Sequence, residues 1–263
     1  MSEDRETLFT LGQQYFSGDG RPKDLKAALD CFKRSAELGY APAQFELGLA
    51  YAPLGKAQTY GIPGDETVAF QWSLKAAEQG HRQAMLGVAM GYHIGLGGAT
   101  RDQEKAVEWY IKLVPFDDTY AMTQLGLIAL QKEQTETGRR WLEAAAELGD
   151  AYALALYRDR IGAGEFPALD PKEELVLLES AAKTGDNAAM LALGLKYEKG
   201  EGVPADLPRA YALLSWVSVY EEAEGRPGEA TEGVERMKGT LSADELKAAD
   251  DLIQVMPTKL SLD

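Results

Sequence analysis

The 263-residue chain has little of what most catalytic sites are made from: one cysteine, Cys31, and two histidines, His81 and His93. A single cysteine excludes an intrachain disulfide and a cysteine-rich zinc site. The histidines stand twelve positions apart, which is not the i, i+4 spacing of a helical metal-binding pair. Cys31 falls on an apolar helix face, where a thiol is an inert core group. The expectation is an absence of catalytic residues, metal and cofactor, and hence a protein that is not an enzyme. Basic side chains are also scarce, 27 against 42 acidic ones, for a net charge of −15. A surface of that sign repels nucleic acid and anionic membranes and attracts basic partners. No apolar run approaches the roughly 18 residues a membrane span needs. The start, Met1-Ser2-Glu3-Asp4-Arg5-Glu6, lacks the basic and apolar segments of a secretory signal, which points to a cytoplasmic location. Close carboxylates such as Glu221-Glu222-Ala223-Glu224 are common by chance among 42 acids and read as a solvated helix end.

What the chain has in quantity is self-similarity. Gly39, Gly80, Gly149 and Gly185 each close a run of small residues, such as Ala145-Ala146-Glu147-Leu148-Gly149. Eight residues before each stands a large residue or its substitute: Cys31, Trp72, Trp141 and Leu177. Trp109 and Leu213 fit the same frame, so successive anchors lie 41, 37, 32, 36 and 36 residues apart. A second signature, Leu-Gly-x-x-Tyr, precedes these anchors at Leu11–Tyr15, Leu47–Tyr51 and Leu193–Tyr197. It is degenerate at Val88–Tyr92, shortened to Leu125-Gly126 in the fourth copy and nearly lost around Ala155-Leu156 in the fifth. Leucine and tyrosine four apart share one helical face. A glycine inside a helix costs about 1 kcal/mol relative to alanine, so its recurrence implies close approach of a partner helix. The period predicts six helix pairs. Each closing glycine should be a left-handed helix cap, and each aspartate before a second helix, such as Asp24, Asp102 and Asp206, should be its N-cap.

Gly200-Glu201-Gly202-Val203-Pro204-Ala205-Asp206 could be mistaken for a ligand loop. It lacks the Gly-Lys-Ser/Thr of a phosphate loop and the alternating oxygen ligands of a calcium loop. Gly18–Asp24 and Gly95–Asp102 repeat it, which makes it a joint between helices. Two copies depart from the frame. The second carries about five extra residues within Ala52–Gly64. The fourth is shortened, with a tight turn over Gln131–Glu136 and Thr135 as the expected N-cap. After the sixth anchor, residues 223–263 read as an acidic linker and a capping helix. Ser242 and Glu245 are placed as a capping box ahead of an amphipathic run.

These residues carry a resemblance to the Sel1-like repeats, relatives of the tetratricopeptide repeat. The family pattern A-x-x-x-L-G-x-x-Y-x-x-G-x-G-V-x-x-D-x-x-x-A-x-x-W-x-x-x-A-A-x-x-G is matched by the sixth copy from Ala189 as far as Ala210, and well by the first three copies. The resemblance implies an all-α fold, a right-handed α/α superhelical solenoid of about six helix-pair repeats over residues 1–222, with the C-terminal helix as its cap. It also implies that the first helix of each pair lines an inner, concave face. By analogy, positions three before, one after and four after the glycine of Leu-Gly point there. The residues so selected as partner-binding candidates are Phe9, Gln13, Phe16, Met90, His93, Thr123, Tyr157, Arg160 and Glu198. Phe45, Leu49, Ala52, Leu86, Leu127, Leu130, Ala153, Leu191 and Leu195 occupy the same positions, the leucines and Phe45 being shared with the inter-helix core. The expected function is a non-catalytic protein–protein interaction scaffold in a bacterium, with a basic protein as partner and neither nucleic acid nor membrane. An immunity protein or antitoxin that occludes a basic effector is one concrete form of it. The alternative is a hydrolase, as implied by cysteine-rich relatives that carry a pair of cysteines per repeat; this chain has one cysteine in all.

Overall fold

The computed structural model describes residues 4–223, 225 and 227–255. Among these the chain forms fifteen α-helices and one short 3-10 turn, Val114–Phe116. The helices pair as the period predicts: α1 (Arg5–Ser17) with α2 (Leu25–Glu37), α3 (Ala41–Tyr51) with α5 (Glu66–Glu78), α6 (Arg82–Ile94) with α7 (Gln103–Leu113). They continue as α8 (Thr119–Gln131) and α9 (Thr135–Glu147), α10 (Ala151–Gly162) and α11 (Pro171–Lys183), α12 (Asn187–Lys199) and α13 (Leu207–Ala223). The four-residue α4 (Ala57–Tyr60) lies in the insertion, and α14 (Glu229–Lys238) and α15 (Ala243–Val255) follow the sixth pair. The result is an all-α solenoid of helix pairs.

Aspartates set where the helices begin. Asp24 accepts from the amides of Lys26 and Ala27, Asp65 from Val68, Asp102 from Lys105 and Asp206 from Arg209, at 2.9–3.0 Å. Each of these aspartates also donates its own N–H to the carbonyl of the tyrosine in the last turn of the first helix of its pair. The bonds are Asp24 to Tyr15 at 2.9 Å, Asp65 to Tyr51 at 2.8 Å, Asp102 to Tyr92 at 2.8 Å and Asp206 to Tyr197 at 3.0 Å. A cation then covers each of these tyrosine rings: Arg21 on Tyr15, Lys33 on Tyr51, Lys105 on Tyr92 and Arg209 on Tyr197, 4.7–5.8 Å from the ring centroid. The joint is thus one device in several copies. The fourth copy differs from expectation. Gln134 is the N-cap of α9 and makes no side-chain cap bond, with Thr135 already inside the helix. The turn closes instead through Gln134 N–H to the carbonyl of Ala129 at 2.9 Å.

The repeated helix-interior glycine has the packing reason its cost implies. A Cβ on Gly12 would stand 2.7 Å from the Phe32 ring, and one on Gly194 2.6 Å from Leu214. In both cases the obstacle is a buried side chain of the second helix in the same pair.

The chain divides into two compact units, Met1–Ala121 and Met122–Asp263. In unit 1 each helix packs on its chain neighbours, α1 on α2, α2 on α3, α3 on α5, α5 on α6 and α6 on α7. Its core includes Ala28, Leu29, Phe32, Ala36, Ala43, Leu47 and Ala50. Unit 2 repeats the nearest-neighbour scheme from α9 to α13, and α14 and α15 both pack on α13. Residues 229–238, part of the stretch read as an acidic linker and capping helix, form the packed helix α14. Ala230, Val234 and Met237, spaced as one helical face, are buried. Glu221 at the end of α13 accepts from the amides of Gly228, Ala230 and Thr231 and from the Thr231 hydroxyl, at 2.7–3.2 Å, and so holds the start of α14. The expected capping box on α15 is present: Ser242 N–H donates to Glu245 at 2.8 Å and Glu245 N–H to Ser242 Oγ at 3.3 Å.

Candidate partner-binding surface

Counting from the N-cap puts the first helices on a common scale. The caps are Asp4, Tyr40, His81, Asp150 and Asp186, with Asp118 capping α8 through Ala121 N–H at 3.0 Å. In α1 the leucine, glycine and tyrosine of the signature fall seven, eight and eleven residues after the cap, and the same offsets hold in α3 and α12. The candidate positions then lie five, nine and twelve residues after the cap. In five of the six helices all three positions are half-buried or exposed, the exception being α8 with its buried Thr123.

In unit 1 this face is apolar except at Gln13 and His93. Phe9 packs between Phe32 and Tyr40, with ring centroids 5.5 and 5.3 Å away, and Gln13 is exposed. Phe45 stacks on His81 at 4.5 Å, so a ring on one first helix meets the cap of the next, as Phe9 meets Tyr40. Leu49, Ala52 and Leu86 are half-buried, and Met90 is 37% exposed. His93 Nδ1 lies 3.2 Å from the Tyr110 hydroxyl, and the Tyr110 ring meets exposed Tyr120 at 6.4 Å. Burial, helped by nearby Arg101, pushes the His93 pKa below its ordinary value and leaves a neutral ring at pH 7. Phe16 is half-buried beneath Tyr60 of the insertion, 5.8 Å between ring centroids.

Unit 2 presents a different face. Glu198 is held by Arg236 in a two-pronged ion pair at 3.1 and 3.0 Å, while Leu191 and Leu195 beside it are half-buried. Two candidates do not reach the surface. Thr123 is 2% exposed, with its hydroxyl unpartnered in the core. Tyr157 is 1% exposed, with its hydroxyl accepting from Arg139 at 3.1 Å. The error at Tyr157 is one of register. In α10 the cap Asp150 puts Tyr157, Arg158 and Ile161 at the leucine, glycine and tyrosine positions, so the signature is unrecognisable and the frame set on Ala155-Leu156 is two residues early. Ala153 is buried for the same reason. The face positions of α10 are Ala155, Asp159 and Gly162, all exposed. Arg160, selected in the wrong frame, is half-buried and pairs with Glu165 at 2.6 Å. The aspartate cap was the signal that would have found them. Tyr120 and Tyr152, two residues after their caps and 42% and 60% exposed, were also missed.

The charge is unevenly divided. Unit 1 has 12 basic and 16 acidic side chains and unit 2 has 15 and 26, so 4 of the 15 net negative charges fall in unit 1 and 11 in unit 2. Among the described residues no group of three or more His, Cys, Asp or Glu side chains could hold a metal ion, and no helix is long and apolar enough to cross a membrane. Cys31 is buried, and His81 spends its Nδ1 on the amide of Ala84 as a helix cap, at 3.3 Å.

A family model described as the Sel1 repeat matches residues 7–40, 41–81, 82–113, 119–150 and 187–215, leaving the eroded fifth pair unmatched. A Sel1 repeat protein from Oxalobacter formigenes is similar in structure, with a TM-score of 0.67 and 26% identity over 90% of this chain and 66% of that one. A protective antigen of uropathogenic Escherichia coli strains, displaying an SLR fold, has a TM-score of 0.59 and 27% identity over 95% of this chain and 52% of that one. Among curated proteins, chitin synthase regulatory factor 4 of Schizosaccharomyces pombe is 29% identical over 143 residues, which is 53% of this chain and 22% of that protein. The chain spans about a fifth of that relative and about half to two thirds of the two solved ones.

Proposed function

Because the chain belongs to the Sel1 repeat family and is built as a protein-interaction scaffold, we propose that it acts without catalysis, by docking a protein partner on the first-helix face of unit 1. The observation that carries this is the run of Phe45, Leu49, Leu86 and Met90, apolar side chains left half-buried or exposed on neighbouring first helices. A face that only met water would gain nothing from them, and contiguous exposed apolar surface marks contact sites. The acidic excess of unit 2 supports a basic partner, which it would draw in from a distance. A cytoplasmic effector with a basic working surface, neutralised by being covered, is the finer form of this reading.

Co-expression of the chain with the neighbouring open reading frames, followed by purification, tests it. A stoichiometric complex is expected. Its affinity should fall more than tenfold with Met90→Glu, and its association rate should fall steeply as salt is raised. Turnover of a substrate by the purified chain, abolished by replacing one side chain, would overturn it.

A further inference from the structure

Residues 52–64 leave α3 and return to α5 by a route on which α4 packs against α2 and α3 and the Tyr60 ring reaches Phe16 of α1. Both ends are pinned to α3, Lys56 N–H donating to the carbonyl of Leu49 and Asp65 N–H to that of Tyr51, each at 2.8 Å. Between the pins, the backbone bonds of residues 57–64 stay within the segment, for example Gly61 to Gln58 at 3.2 Å and Ile62 to Ala57 at 3.1 Å. Packing holds it down: Ala57 is buried, and Tyr60 and Ile62 lie against the core of unit 1. Tyr60 lies on Phe16, and Lys56 Nζ meets Glu46 at 2.7 Å while standing 5.2 Å from the same Phe16 ring. One group opposes closure. The Tyr60 hydroxyl is buried without a hydrogen-bond partner, a defect that shifts an equilibrium by roughly tenfold or more. Burial and the Glu46 carboxylate both push its pKa up, so it cannot escape the defect by ionising.

We propose that residues 57–64 are a strap over the apolar face of unit 1. Closed, it fills the Phe16 position with the chain's own aromatic ring; open, it offers Phe16 to an aromatic side chain of the partner. The occupant is assigned from what sits there now, since Tyr60 shows the chemistry the position accepts. Gly61, at φ +65°, gives the segment a bend next to that ring. The inference rests on the reading that this face docks a partner.

Amide hydrogen exchange of the whole chain, with bis-ANS as an aromatic probe of exposed apolar surface, tests it. Lys56→Ala removes the half-exposed ion pair and should speed exchange at residues 60–62 about 2- to 3-fold and raise bis-ANS fluorescence. Tyr60→Phe keeps the ring and removes the orphan hydroxyl. It should slow the same amides about tenfold and lower the fluorescence. Exchange in α2 and α3 should not change in either variant. Residues 60–62 exchanging no faster than α2 and α3, or both variants moving exchange in the same direction, would overturn the strap. Exchange that follows the variants while bis-ANS does not would leave a moving segment and overturn its docking role.

Discussion

The backbone N–H of Asp65 donates to the carbonyl of Tyr51 at 2.8 Å, although fourteen positions separate them where nine separate Asp24 from Tyr15. The same closure holds with and without the insertion, because the bond joins the end of one helix to the cap of the next and leaves the path between them free. The caps are therefore structural keystones of the pairs. Asp24→Ala and Asp206→Ala should each cost about 1 kcal/mol, read as a lower midpoint in denaturant with an unchanged slope. Asp24→Asn should restore most of the loss.

Glycines in the first helices should split by what faces them. Gly12→Ala gains helix propensity but drives a methyl into Phe32, which is itself buried and fixed against Phe9, so a loss of about 1–3 kcal/mol is expected. Gly87 is exposed in α6 and an added Cβ there meets nothing within 4 Å. Gly87→Ala should stabilise by about 0.5–1 kcal/mol. Thermal unfolding of the two variants beside the parent chain decides both signs.

The register of α10 can be tested by mutation. Tyr157→Ala should cost about 3–5 kcal/mol, as for a large side chain removed from a core. Asp159→Ala, two residues on, should stay within about 0.5 kcal/mol. Equal effects at the two positions would contradict the frame set by Asp150.

Acidification should loosen the attachment of α14. Burial alone would raise the Glu221 pKa, but the Thr231 hydroxyl and the amides of Thr231, Ala230 and Gly228 outweigh it and hold the pKa below its usual 4.5. A carboxylate depressed in the folded state contributes stability above its unfolded pKa and loses it as pH falls through the folded value. Glu221→Gln should therefore be less stable than the parent at pH 7. The gap should begin to close near pH 5 and vanish once both forms are protonated. Denaturant titrations of the pair from pH 7 to pH 3 would show it.

The frame of the fold was legible because it rests on short-range rules. Glycine caps, aspartate caps and the Leu-Gly-x-x-Tyr spacing each act within one or two helical turns, and all recur. Where the signature is overwritten, as at Tyr157, Arg158 and Ile161, the repeat pattern points two residues early and selects the buried Ala153 and Tyr157. The helix α14 was hidden by its acids, although the spacing of Ala230, Val234 and Met237 was there to be read. The burial of Thr123 depends on neighbours that no local pattern identifies. The cover that Tyr60 lays on Phe16 could not be read at all, since it joins residues 44 positions apart through contacts that only the folded chain brings together.

Cys31 stands at the large-residue position of α2, 5% exposed, and the chain has no other thiol. A thiol reagent would find it only when unit 1 opens, and the opening of unit 2 would leave no trace in the same reaction. The chain thus carries a built-in clock for one half of itself. Labelling kinetics, set beside a spectroscopic probe of the whole helix content, would time the two halves separately without a single engineered residue.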